Sequence, residues 1–397
     1  MPPSTGPAPR LIAHYLPQFH PTPENDAWWG KGFTEWSNVS RAKPLFKGHY
    51  QPHLPADLGF YDLRLPEVRQ AQADLAREHG IHGFMYYHYW FRGKRMIERP
   101  FEEVLASGQP DFPFCLCWAN ETWSKRWLGE EKEILIRQEY SPEDFREHAR
   151  WLARAFADKR YIRVEGRPVF VIYRHSDFPK EYDGIAIMRE ELMRQGSPNP
   201  YLIAIDVHNP KFAYRGAGFD HTMAFQPSLG ALPNALDDRS FTLGRLSRNL
   251  SSSGLPSGRL KLYGYETALE IMERSASQAP VRQIPCVLVS WDNSPRRGEK
   301  AVIFTNCSPP LFGKMLERRL DEWAVSPPGT DLFFINAWNE WAEGNHLEPD
   351  QKFGMGYLEE LREARNRVGA RRGWSPVAAE SAHPFPFPGP GPQQRAS

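Results

Sequence analysis

The sequence predicts an α/β protein, a (β/α)8 TIM barrel whose long βα loops form a substrate cleft, and three observations predict it. Eight short apolar segments recur between helical stretches along the 397 residues. Most are continuous apolar runs, the pattern of parallel strands buried on both faces rather than of half-solvated ones. The last of them opens onto two carboxylates three positions apart, Glu340 and Glu343, in DLFFINAWNEWAEGNHLE. Polar chemistry just past the carboxyl ends of the strands is where a barrel keeps its working residues.

Strands are expected at residues 11–16 (LIAHYL), 82–87 (HGFMYY), 112–118 (FPFCLCW), 168–173 (PVFVIY), 201–206 (YLIAID), 221–226 (HTMAFQ), 284–290 (IPCVLVS) and 331–336 (DLFFIN). Helical signals fall between them. Pro66 and Glu67 open a helix that stops at Gly80, since proline suits a first turn and glycine a left-handed stop. Ser141 followed by Pro142, Glu143 and Asp144 reads as an N-cap with an acidic first turn. Residues 185–194 and 311–323 carry further outer helices, the second with Leu316, Leu320 and Trp323 on one stripe, and a final helix covers about 357–367. Two connections exceed what plain loops need: 17–65, irregular and rich in proline and tryptophan, and 227–280, which holds SSSGLPSG and a helix near 267–274. Loops of such length usually build a site or a lid. The barrel is placed at residues 11–372, between a disordered N-terminus, 1–10, and a proline-rich disordered tail, 373–397. A doubly wound open sheet would want a glycine-rich phosphate turn after strand one, where this chain has HYLPQFHP.

Charge narrows the partners. With 49 basic and 48 acidic residues the net charge is +1, so no field favours nucleic acid or an anionic membrane. A neutral or mildly charged small molecule or polymer is the expected partner; oligomeric state is left open. Thirteen tryptophans and fifteen tyrosines are many for a chain of mean hydropathy −0.59, and some are expected to line a cleft. No window approaches the roughly eighteen apolar residues of a transmembrane segment, and MPPSTGPAPR lacks the pattern of a signal peptide. A cytoplasmic location is the expectation. Cys115 and Cys117 alternate on one strand face and, with Cys286 and Cys307, read as free thiols without zinc spacing.

Paired carboxylates among indole rings are what acetal cleavage needs. One acid protonates the leaving oxygen while the other generates or assists the nucleophile, and sugar faces stack on aromatic rings while hydroxyls bond to polar groups. Seven of the eight predicted strand ends supply such residues: His14 and Tyr15 with Asn25, Asp26, Trp29, Glu35 and Trp36 in the loop beyond; Tyr87, His88 and Trp90; Trp118, Asn120 and Glu121; Tyr173; Asp206; Trp291 and Asp292; and Trp338, Asn339 and Trp341 around Glu340 and Glu343. Any one of these alone would read as a satisfied structural residue. Their recurrence at seven strand ends points to a carbohydrate site.

As an ordered set, HYLPQFHP, NDAWWGKGFTEW, QPHLPADLGFYDLR, GFMYYHYWF, WANETW, SWDNSPR and NAWNEWAEG resemble the WbsX-type proteins of bacterial surface-polysaccharide loci, described as glycoside hydrolase family 99-like, over about residues 11–370. The resemblance implies a TIM barrel similar to endo-α-mannosidases, retaining and working without a metal. It also implies roles within Glu340-Trp341-Ala342-Glu343-Gly344. Glu340 would draw the proton from the sugar 2-hydroxyl to give a 1,2-anhydro intermediate. Glu343 would protonate the departing oxygen and then activate water.

The competing reading is a glycosyltransferase of lipopolysaccharide or capsule biosynthesis. No aspartate is followed two positions later by another, so the usual diphosphate-metal motif is missing, although a barrel with two carboxylates can pass a glycosyl group to a sugar acceptor. A non-catalytic glycan-binding barrel is the third reading. Glu121 is the alternative acid, three strands round the barrel from Glu340. No cofactor and no metal are expected: His346 with Glu348 is the nearest metal-like pair, and such a pair in a loop is commonly incidental.

Overall fold

The computed structural model describes residues 7–125, 130–205, 217–235, 259–279 and 281–377. Each predicted strand is present: β1 (Arg10–Tyr15), β2 (Gly83–Phe91), β3 (Phe114–Trp118), β4 (Arg167–Ile172), β5 (Tyr201–Ile205), β6 (His221–Ala224), β7 (Ile284–Leu288) and β8 (Leu332–Asn336). All pair in parallel in chain order, and β1 pairs with both β8 and β2, which closes the barrel. Closure fixes register at Ile12 opposite Gly83 and Ile12 opposite Phe334. A side chain at Gly83 would strike the Pro113 carbonyl oxygen at 2.5 Å, so only glycine lets β2 and β3 start this close.

The helices are α1 (Pro23–Trp29), α2 (Glu35–Arg41), α3 (Pro66–Glu78), α4 (Arg99–Ser107), α5 (Pro142–Phe156), α6 (Gly184–Arg194), α7 (Tyr265–Ala276), α8 (Ser294–Arg297), α9 (Pro309–Val325) and α10 (Gly356–Arg372). Ser141 caps α5 by accepting from the Asp144 N–H at 3.1 Å, and Leu316, Leu320 and Trp323 form the buried stripe of α9. The 17–65 connection is more ordered than its composition suggests. It carries α1 and α2, whose Thr22 and Thr34 hydroxyls cap the first turns. In the 227–280 connection a strand, Lys261–Gly264, pairs in parallel with Val302–Thr305 beside α7. SSSGLPSG lies outside the described residues. Arg10, placed in the N-terminal segment on sequence, begins β1 and ion-pairs with Asp331 at 2.7 Å. Trp374, just past α10, is buried against Trp323 of α9. Among the described residues no helix is long and apolar enough to cross a membrane, and Cys115, Cys117 and Cys286 are free and buried, with Cys307 half-buried.

Strand alternation divides the wall into two faces. His14, Tyr87, Tyr173, Phe225 and Phe334 meet on the inner face, with the His14 ring 5.4 Å from Phe225 and 6.0 Å from Tyr87. Tyr15, Phe84, Tyr86, His88, Trp90 and Trp118 point outward to the helices. One buried carboxylate fastens the two layers beneath the β8 loop. Glu348 accepts from Trp341 Nε1 at 2.6 Å, Tyr61 Oη at 2.8 Å and Gln72 Nε2 of α3 at 2.6 Å.

Glu348→Ala leaves those three donors buried without an acceptor, and urea unfolding is expected to show a loss of roughly 3–5 kcal/mol. Glu348→Gln keeps an acceptor and loses less; equal losses would show that volume, not hydrogen bonding, dominates.

Candidate active site

The β7 and β8 loops meet around one cation. Arg296, in the single turn of α8, binds Glu343 through Nη1 at 2.7 Å, Glu340 through Nη2 at 3.2 Å and Glu35 through Nη2 at 3.0 Å. Side-chain exposure is 0% for Glu35, 9% for Arg296 and Glu340, and 22% for Glu343. Glu35 arrives as the first residue of α2, directly after its Thr34 cap. Glu340 ends a short strand pair, Asn339–Glu340 against Asn345–His346, and Glu343 lies in the tight turn between them. Gly344 closes that turn at φ +57°, where a Cβ would come within 3.0 Å of Asp292 Cβ. The turn is locked to the β7 loop: the Asp292 N–H donates to the Glu343 carbonyl at 2.7 Å, and the Ser290 hydroxyl donates to that of Gly344.

Three acids face one guanidinium, and burial makes the imbalance costly. Glu340 is pushed up to about 8, first by burial and then by the charges of Glu343 and Glu35, against the pull of Arg296. Glu343 is raised by burial and by Glu35 and Glu121, again opposed by Arg296. Burial also works against the Arg296 charge, yet Glu35, Glu343 and Glu340 hold its pKa above the ordinary arginine value. Near neutrality the cluster therefore keeps a proton that free carboxylates would have released.

Phenols and an imidazole surround it. Burial, then the Glu340 charge, raises both Tyr87 and Tyr89; burial, then Glu121 and Glu343, raises Tyr173. Glu121, past the β3 end, and Tyr173, past the β4 end, thus act electrostatically on the same inner region as the pair from β8. Arg174 binds Glu121 at 3.1 Å. His14 is lowered by burial to about 3 and so is neutral, and its Nε2 has no hydrogen-bond partner while Nδ1 lies 3.4 Å from Tyr87 Oη. On the rim, half-buried Trp28 and Trp123 pack edge to face at 6.0 Å beside Tyr89.

Of the residues singled out on sequence, the structure brings Glu340, Glu343 and Glu35 onto one guanidinium and His14, Tyr87 and Tyr173 onto the inner face, with Glu121 paired to Arg174. Others serve the wall itself. Tyr15 donates to Gln72 of α3 at 2.6 Å; His88 hydrogen-bonds His148 of α5 at 2.9 Å and stacks on Trp151; Trp90 donates to Asp144 of α5 at 2.8 Å; Trp118 is fully buried against His148 and Phe145. Trp36 donates to the Tyr61 carbonyl and packs on Trp341, Trp338 is fully buried beside Phe84, and Trp291 lies in a second apolar cluster with Leu288 and Phe304. Asn339 ties the β8 end to the β1 end, accepting from the Leu16 N–H at 2.7 Å and donating to its carbonyl at 3.0 Å. Asn120 does the same for β3 and β4, bonding the Arg174 N–H and carbonyl. Asp292 accepts from His49, Gln51 and the Ser294 N–H, and these contacts outweigh burial and hold it below the usual carboxylate range. In α1, Asn25 has a buried amide without partners, Asp26 accepts from the Gly32 N–H at 2.8 Å, and half-buried Trp29 lies 5.8 Å from Phe33. Asp206 lies outside the described residues.

Sequence reasoning missed Arg296 and Tyr89. Arg296 was within reach: two neighbouring acids in an apolar loop need a cation, and SWDNSPR supplies one just past strand seven. A cavity of about 1460 Å³ bordered by α7 and α9 shares no lining residue with the cluster.

Fold and cluster define a class: a parallel (β/α)8 barrel with an acidic pair and a third carboxylate at the carboxyl mouth of its strands. Residues 11–361 match the family model described as glycosyltransferase WbsX, and the chain belongs to that family. Two relatives named uncharacterized protein WxcX, from Xanthomonas campestris pv. campestris strains B100 and ATCC 33913, are 41% and 39% identical over 370 and 375 residues, or 92% of this chain. Each match covers 51% of the relative, so the chain spans about half the length of the curated relatives it matches. Among solved structures, a GH99 endo-α-mannosidase from Bacteroides thetaiotaomicron aligns with a TM-score of 0.54 at 14% identity, over 93% of this chain and 99% of that one. A structure titled glycoside hydrolase-like protein aligns with a TM-score of 0.55 at 16% identity, over 92% and 96%. These likenesses establish the shared barrel.

Arg296→Met removes the counter-charge of two buried acids and one half-buried acid and is expected to cost about 3–5 kcal/mol at pH 7. The sign with pH follows from carboxyl groups raised in the folded state. Their stabilisation is full below the unfolded value and fades as pH rises through the folded one. Losing Arg296 raises them further, so melting curves should show the gap to wild type widest near pH 7–8 and narrowing toward about pH 4. A gap independent of pH would contradict the counter-charge role.

Proposed function

We propose that the chain is a glycosidase that cleaves a bond within a bacterial polysaccharide or oligosaccharide, endo-acting and retaining, through Glu340 and Glu343. The observation that carries this reading is the holding of both carboxyls, with Glu35, on one buried guanidinium at the barrel mouth. Two carboxyls bound to different nitrogens of one guanidinium are held close, which favours the retaining separation of roughly 5–5.5 Å over the roughly 6.5–9.5 Å of inverting pairs.

The division of labour follows exposure. Glu343, the more open at 22%, can meet both a leaving oxygen and an entering water. Glu340, at 9% and electrostatically coupled to Tyr87, suits the deeper task of taking the 2-hydroxyl proton while that oxygen attacks the anomeric carbon. The leaving oxygen takes the Glu343 proton. Water then returns a proton to Glu343 and opens the 1,2-anhydro ring as Glu340 reprotonates the 2-oxygen. In the free chain the shared proton favours Glu340, at about 8, so it has to pass to Glu343 as the sugar binds. His14, Tyr173 and Glu121 line the subsite, with Trp28 and Trp123 as stacking surfaces. The family description favours a second reading, transfer to a sugar acceptor in place of water.

An oligosaccharide screen with product analysis tests the substrate class. Glu343→Gln is expected to abolish cleavage of unactivated linkages, by on the order of 10²–10⁴-fold, yet retain activity on aryl glycosides with good leaving groups. Glu340→Gln should suppress both. Near-wild-type activity in either variant refutes its role, and a larger loss in Glu121→Gln moves the acid there. Stimulation by nucleotide sugars would support the transferase.

The active form holds one proton on the pair. Hydrolytic kcat/KM is therefore expected to follow a bell, falling above pH about 8 as Glu340 releases the last proton. A profile flat from pH 7 to 10 would exclude a proton shared by this pair.

A further inference from the structure

Among the described residues, one group of histidine and acid side chains outside the carboxylate cluster has metal-ligand chemistry: His53, His346 and Asp350, whose donor atoms all lie within 4.8 Å of one another. His53 Nδ1 is 3.0 Å from His346 Nε2, and His346 Nε2 is 4.0 Å from Asp350 Oδ2. We propose that these three side chains bind a divalent ion of the zinc class, which staples the β1–α3 connection to the turn that carries Glu340 and Glu343.

Two of the three donors are aimed by a partner on the far side, as metal ligands are. The Glu348 carbonyl accepts from His346 Nδ1 at 2.9 Å, which puts the proton on Nδ1 and leaves the Nε2 lone pair facing the centre. Asp350 Oδ1 takes the Lys352 and Phe353 N–H groups at 2.9 and 2.6 Å, leaving Oδ2 for the ion. That oxygen belongs to a residue only 2% exposed and has no hydrogen-bond partner. Donors at 2.0–2.1 Å from a tetrahedral ion lie about 3.3 Å apart, so the observed spacings need adjustments of about an ångström. In the metal-free chain His53 Nδ1 donates to His346 Nε2; binding also requires that His53 carry its proton on Nε2 instead. His53 is half-buried. The Lys352 ammonium, 4.3 Å over the Tyr50 ring, opposes a cation, and the Asp350 carboxylate offsets it. The acid partner differs from the one suggested by sequence: Glu348 is consumed by Trp341, Tyr61 and Gln72.

The consequence for the pair is mechanical. His346 opposes Asn339 in the short strand pair and stacks at 3.7 Å on Trp341, between Glu340 and Glu343. His53 shares its loop with His49 and Gln51, which hold Asp292.

The test uses the full chain, stripped with chelator and titrated with Zn²⁺ by calorimetry, and with Co²⁺ for the visible absorption of a four-coordinate N/O site. One Zn²⁺ per chain is expected, with a higher unfolding midpoint. His53→Gln and Asp350→Asn, the latter keeping an acceptor for the two N–H groups, should each weaken Zn²⁺ by at least about 10-fold and lose the thermal shift. Circular dichroism reports whether the variants are folded. Absence of stoichiometric Zn²⁺ binding by the wild type, or wild-type affinity in both folded variants, overturns the proposal.

Discussion

Arg296 faces Glu35, Glu340 and Glu343 in a space that water barely reaches, with one positive charge against three acids. A fully ionised cluster would carry a net charge of −2 in a medium that penalises any uncompensated charge. The chain eases this constraint by keeping a proton, which lowers the net charge to −1, and the raised pKa values of Glu340 and Glu343 are that proton seen from either side. The same constraint fixes geometry. Because the carboxyls must stay on the guanidinium, α2, α8 and the β8 turn are held in one arrangement although they come from three distant parts of the chain.

The surrounding residues serve that arrangement in layers. Glu348 anchors Trp341 from beneath, Asp292 gathers His49 and Gln51 from the side, and Asn339 splices the β8 end to the β1 end. The tryptophans flanking the acid pair belong to this scaffold. Trp338 and Trp341 are buried, Trp338 against Phe84 and Trp341 against Trp36 and His346. Tyr87, Tyr173, Trp28 and Trp123 are by contrast only half-buried.

The barrel was legible because its strands are buried on both faces and read as apolar runs of five or six residues, broken by caps such as Ser141 and stops such as Gly80. Short helices were less legible. α4 spans only Arg99–Ser107, just after a short strand, Lys94–Met96, that pairs antiparallel with the end of β2, and α1 and α2 lie in a segment whose prolines and tryptophans suggest irregular structure. The Glu340 and Glu343 pair could be found from local spacing alone, since both stand in one turn. Glu35 and Glu121 could be nominated by their motifs but not related to the pair.

Sequence by itself determined the composition of the strand ends: acids, phenols and indoles follow nearly every strand, because a parallel barrel delivers all its carboxyl ends to one mouth. Only the tertiary structure decided which of them face one another. Neighbours one residue apart in a strand point to opposite sides of the wall, so Tyr87 meets the cluster while His88 packs on α5. Arg296 acquired its role in the same way. Its charge is written in the sequence, but its three partners come from α2 and the β8 turn, 261 and 44–47 residues away, and only closure of the barrel brings them within hydrogen-bond reach.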